Sequence, residues 1–63
     1  MRSELVIDLL IELGFPYDDS CVNDIVENWE NDHEEELKEL DGFEIDREDV
    51  EIYWFDYVRA NLF

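Results

Sequence analysis

Apolar and polar residues alternate along this chain with a period close to that of an α-helix. Between Ser3 and Leu13 the polar residues Glu4, Asp8 and Glu12 recur every four positions, while Leu5, Val6, Ile7, Leu9, Leu10, Ile11 and Leu13 fill the rest. That pattern predicts a helix with one narrow polar stripe, and a helix apolar over most of its circumference is expected to be buried and central. Gly14 suits a left-handed C-terminal cap, and Pro16 blocks continuation. After the turn Phe15-Pro16-Tyr17-Asp18-Asp19, Asp19 or Ser20 can cap a second helix running to about Leu40. Its apolar face is Val22, Ile25, Val26, Trp29, His33, Leu37 and Leu40, at spacings of three and four. Asn28, Asn31 and Asp32 are mediocre helix formers, which marks a break point near Asn31.

Asp41-Gly42 ends this second helix. Beyond it the pattern supports two readings. Asp46 followed by Asp49 resembles an N-cap pair, and Val50, Tyr53, Trp54, Tyr57 and Val58 then form a helical stripe. The alternative is a hairpin, with Phe43 to Ile45 and Val50 to Phe55 as strands, favoured by their aromatic and β-branched content. The expected fold is therefore mainly α, a compact three-helix domain spanning 1–63 as a single unit. The α+β alternative packs two helices on a small C-terminal hairpin.

Charge changes the picture more than any motif. Twenty acidic residues stand against four basic ones, Arg2, Lys38, Arg47 and Arg59, for a formal net charge of -16. Such a charge repels itself in a compact state, and high net charge often means disorder. With 46% hydrophobic and 14% aromatic residues, however, the chain carries enough apolar material to fold. Direct binding to nucleic acid or to an anionic membrane is disfavoured, because both depend on Lys and Arg. No stretch has the 18 or more apolar residues of a membrane helix, and Glu4, Asp8 and Glu12 spoil the first segment as a signal peptide. A cytoplasmic location is expected.

Candidate chemistry is sparse. One cysteine, Cys21, cannot form an intrachain disulfide, and with His33 as the only other soft ligand no zinc site is expected. Setting Gly42 sixth in a calcium loop places Glu48 twelfth, as required, but puts Leu37 where the first carboxylate belongs. No metal, cofactor or catalytic residue is expected, and the protein is read as non-enzymatic. Cys21 reads as a small half-buried residue on a helix, and His33 as a packed or boundary histidine.

What remains is the acidic face of the second helix. Asp24, Glu27, Glu34 and Glu35 lie opposite the Trp29 stripe, with Glu30, Asp32 and Glu39 flanking them. Side chains three or four apart on a helix sit roughly 5–6 Å from one another, so these residues can form a ladder of anionic oxygens. Duplex DNA presents about one negative charge per 1.7 Å of axis, and a rigid acidic helix can approximate part of such a row. A second candidate interface is apolar: Ile52 and Phe55 point away from the Val50–Tyr57 stripe, and Leu62 and Phe63 extend that surface, which suits a homodimer.

A tiny, strongly acidic, aromatic-rich chain resembles the DNA-mimic inhibitors of phages and plasmids, the anti-CRISPR and antirestriction proteins. The C-terminal run Trp54-Phe55-Asp56-Tyr57-Val58-Arg59-Ala60-Asn61-Leu62-Phe63 is similar to an aromatic-Asp-Tyr…Arg-x-x-Leu-Phe helix of some antirestriction proteins. The resemblance covers about ten residues. It implies a stoichiometric inhibitor that occupies the basic nucleic-acid groove of a defence nuclease, a CRISPR effector or a restriction enzyme, in the cytoplasm of an infected or plasmid-bearing bacterium. The competing expectation is a small antitoxin or host-takeover protein that grips a toxin or transcription protein through an apolar patch.

Overall fold

The computed structural model describes residues 1–61 and is mainly α-helical. Four helices follow in order: α1 (Arg2–Leu13), α2 (Asp19–Asp32), α3 (Glu34–Glu39) and α4 (Arg47–Asn61). The described residues contain no strand, so the segment expected as helix or hairpin is helix. The four-helix count corrects the expectation of three, and the reason lies at His33.

Each helix ends for a local reason. Gly14 adopts φ 79° and donates to the Ile11 carbonyl, while the Phe15 N–H reaches the Leu10 carbonyl. This pair of bonds is a Schellman cap, which only a residue comfortable in the left-handed region closes without strain. At the start of α2 the capping side chain is Asp18, not Asp19 or Ser20: its Oδ1 accepts from the Cys21 N–H at 2.8 Å. The cap lies one residue earlier than expected because Asp18 takes the extended backbone, φ -136° and ψ -179°, that a capping residue needs. α2 then stops at Asp32, and His33 leaves the helical region at φ -118°, ψ 29°. Its Nδ1 lies 2.9 Å from the Trp29 carbonyl, which a proton on Nδ1 lets it donate to. Three weak helix formers, Asn28, Asn31 and Asp32, precede the break. α4 opens with a reciprocal box: the Asp49 N–H donates to Asp46 Oδ1 at 3.0 Å, and the Asp46 N–H to Asp49 Oδ2 at 3.5 Å.

The core is Val6 and Leu10 of α1, Cys21, Val22, Ile25 and Trp29 of α2, Ile45 of the connector and Val50 of α4. α2 thus supplies half of the buried residues and is the central helix, against the expectation that α1 would be. The reason is visible on α1: Ile11 is 61% exposed, and Leu5, Ile7, Leu9 and Leu13 are half-buried. The two neighbours of α1 cover one side of it and leave the other to solvent.

Trp29 organises the packing. Its ring is fully buried and stacks on His33 and on Phe43, with centroids at 4.9 and 5.4 Å. The Arg2 guanidinium lies over it at 4.9 Å from the centroid. Its indole N–H donates to Asp49 Oδ2 at 3.1 Å, tying α2 to the capping box of α4. Midway along α4 the Trp54 indole N–H donates to the Pro16 carbonyl at 2.8 Å, and Phe15 stacks on the Trp54 ring at 4.3 Å.

Candidate functional site

The helix break at His33 divides the expected acidic ladder in two. Asp24, Glu27, Glu30 and Asp32 belong to α2; Glu34, Glu35 and Glu39 belong to α3. The structure also sorts these seven by what they touch. Glu30 is half-buried and ion-paired with Arg2, which also binds Glu44. Asp32 accepts from the Tyr53 hydroxyl at 2.5 Å, a contact between α2 and α4. Both carboxylates therefore hold the fold. Asp24 is half-buried and accepts from the Asn28 side chain at 3.0 Å. Glu34 lies 3.7 Å from Lys38, one turn along α3, with both side chains mostly exposed. Glu27, Glu35 and Glu39 are exposed with no ion-pair partner among the described residues.

Charge is scarcely neutralised. The four cationic side chains engage five carboxylates: Arg2 takes Glu30 and Glu44, Lys38 takes Glu34, Arg47 takes Glu12 and Arg59 takes Asp56. Of the chain's twenty acidic side chains, fifteen have no cationic side chain within 4 Å among the described residues.

The perturbed groups all sit where the acidic shell meets the core. Burial works against the charged Glu44 carboxyl, but hydrogen bonds from Arg2 and from the Ile45 N–H outweigh it and hold its pKa below the usual carboxylate range. In return, Glu44 and then Glu30 raise the Arg2 guanidinium. Burial, followed by the hydrogen bond to Asp32, pushes the Tyr53 phenol well above its ordinary value, with Asp49 and Asp56 adding to it. Tyr57 is raised by desolvation and by Asp18, Cys21 and Asp24. The Cys21 thiol is raised by burial and then by Asp18 and Asp24, which makes it an unreactive core residue. It is more deeply buried than its expected half-burial. No group of three or more His, Cys, Asp or Glu side chains is placed to hold a metal among the described residues. No described helix is long and apolar enough to cross a membrane.

The second candidate surface is the outer side of α4. Ile52 is 56% exposed and Phe55 45%, while Val50, Tyr53, Trp54 and Tyr57 turn inward. Phe55 is steadied by edge contacts with Phe15 and Trp54, at 5.7 and 5.2 Å between centroids. Leu62 and Phe63, expected to extend this surface, lie outside the described residues.

Sequence reasoning missed the Arg2 clamp and the Tyr53–Asp32 bond. Their partners are 28, 42 and 21 residues apart in the chain, and no local pattern signals them. Comparison of the chain with models of protein families, with curated proteins and with solved structures finds no match in any of the three.

Proposed function

We propose that this protein is a non-enzymatic nucleic-acid mimic, which occupies the basic groove of a bacterial defence nuclease, a CRISPR effector or a restriction enzyme, and blocks it by stoichiometric binding. The observation that carries the reading is charge density on a small folded body. The molecule extends 37 Å along its longest axis. Spread over that length, a net charge of -16 amounts to one charge per about 2.3 Å. Nucleic acid has one per about 1.7 Å as a duplex and one per about 3.4 Å per strand. A groove built to neutralise phosphates would meet a comparable charge density here.

The exposed acids of α2 and α3, Glu27, Glu34, Glu35 and Glu39, are the contact residues in this reading. Asp24 stands beside them, and Lys38 is the one cation on the face. Glu30 and Asp32 act behind them as supports. A folded scaffold gains over a disordered acidic tail because the carboxylates are fixed before binding, so less ordering entropy opposes association. The protein would act in the cytoplasm of the cell that holds the nuclease.

The test is inhibition of cleavage by purified restriction nucleases and guide-loaded CRISPR effectors. The expected result is stoichiometric inhibition that excess DNA relieves, with affinity falling by more than about tenfold between 50 and 200 mM salt. Binding that persists at high salt would instead indicate attachment through an apolar patch, the mode of an antitoxin or host-takeover protein. Binding alongside nucleic acid in the same groove would refute mimicry.

A further inference from the structure

The outer side of α4 carries a stripe complementary to itself. At about 100° per residue, Glu48, Ile52, Phe55 and Arg59 fall within about 60° of arc on the side of the helix opposite Val50 and Tyr57. All four are exposed. The order along the stripe is acid, apolar, apolar, base. Turned end over end, the same order meets its complement: Glu48 faces Arg59 and Ile52 faces Phe55. We propose that this face is a homodimer interface, in which α4 packs antiparallel against α4 of a second copy about a two-fold axis between Ile52 and Phe55.

Charge selects this occupant over a cationic partner. The stripe itself holds one acid, Glu48, and one base, Arg59, and is neutral in a chain of net charge -16, with Glu51 and Asp56 on its flanks and Arg47 turned toward Glu12 of α1. The stripe therefore lets a second copy approach with opposite charges meeting at both ends. Arg59 is free to exchange partners: its contact with Asp56 is 3.5 Å long, and its side chain is 77% exposed. A two-fold interface uses the same patch twice, so two Glu48–Arg59 pairs form at the ends and close over a four-residue apolar centre. Two 15-residue helices side by side make a small interface, at or below the roughly 1,200 Å² of the smallest specific complexes, so the dimer is weak and concentration-dependent. The acidic faces of α2 and α3 stay exposed in it. The inference does not depend on the proposed function.

Sedimentation over a range from micromolar to millimolar protein tests it. The sedimentation coefficient should rise with concentration toward that of a dimer, and rise at lower protein concentration when salt screens the repulsion between subunits. Phe55→Ser and Ile52→Ser should each remove the dimer, with unchanged helical circular dichroism. Glu48→Arg and Arg59→Glu should each weaken self-association by about tenfold, because like charges then meet at both ends. An equimolar mixture of these two variants should associate again, because every Arg then faces a Glu. A strictly monomeric protein at all concentrations and salts overturns the proposal. So does a dimer indifferent to Phe55→Ser, or a mixture that associates no better than its components. A monomer whose Phe55→Ser variant loses nuclease inhibition would assign the stripe to the nuclease and overturn it equally.

Discussion

The α2–α3 face and the outer side of α4 are both solvent-exposed, yet they are built on opposite principles. The first exposes Glu27, Asp32, Glu34, Glu35 and Glu39 around a single Lys38. The second exposes Ile52 and Phe55 between Glu48 and Arg59, whose charges cancel. Beneath the α2 part of the first lies the fully buried Trp29 ring with Arg2, His33, Phe43 and Asp49 around it. Beneath the second lie the half-buried Tyr53, Trp54 and Tyr57. Repulsion among carboxylates on α2 is tolerated over a firm core, while the acids of α3 stand on a short helix with no buried residue. The apolar stripe lies on the outward side of a helix held on its inner side by α1 and α2, where a second surface can complete the packing.

The largest effect expected is loss of the anchor. Trp29→Ala should cost about 3–5 kcal/mol. The core of so small a domain supplies about 3–5 kcal/mol in all, so the variant should show no cooperative thermal transition by circular dichroism. A sharp melt within a few degrees of the parent would show that the acidic face does not rest on this ring.

Next in size are the acids themselves, and here the structure separates two groups. Reversing Asp24, Glu27, Glu34 and Glu35 to Lys adds two charges at each site and brings the net charge from -16 to -8. Nuclease inhibition should vanish, while the melting temperature holds or rises as self-repulsion falls. Glu30→Lys or Asp32→Lys should do the reverse in kind, lowering stability by about 1–2 kcal/mol through loss of the Arg2 pair or the Tyr53 bond. That corresponds to a fall of several degrees in melting temperature. Equal destabilisation by both groups would erase the distinction between supporting and contacting carboxylates.

Salt and pH effects should be smaller. Added salt should raise the melting temperature by screening the acids, opposite in sign to its effect on inhibition. On the alkaline side, Cys21 and Tyr53 both have raised values in the folded state. The unfolded chain therefore loses these protons first, the thiol near about 8.5 and the phenol near about 10. The contribution of these two groups to stability should be full below about pH 8 and decline as pH rises past those values. Tyr53→Phe should flatten the part of the decline above about pH 10. An unaltered pH profile in that variant would deny the Tyr53–Asp32 bond its role.

Much of the fold was legible in the residue pattern because its signals are local. The Gly14 cap, the Asp46–Asp49 box and the stripe from Val50 to Val58 each depend on neighbours within four residues. The break was foreseen near Asn31 and falls at His33, where a side chain settles on the Trp29 carbonyl. What was illegible is tertiary. Nothing in the amphipathic pattern of α1 says that Ile11 finds no cover, or that α2 becomes the centre. Nor does a list of acids show that Glu30 and Asp32 are engaged by Arg2 and Tyr53 while Glu27, Glu35 and Glu39 are not.

The central claim is that the acids of the α2–α3 face stand in for phosphates. It is tested most directly by displacing a labelled DNA duplex from a nuclease that the protein inhibits, measured by fluorescence anisotropy with the parent protein and with the Asp24, Glu27, Glu34 and Glu35 reversal variant. The account predicts complete, mutually exclusive displacement by the parent, steeply weakened by salt, and none by the variant. A ternary complex of nuclease, DNA and protein, or equal displacement by both forms, would contradict it.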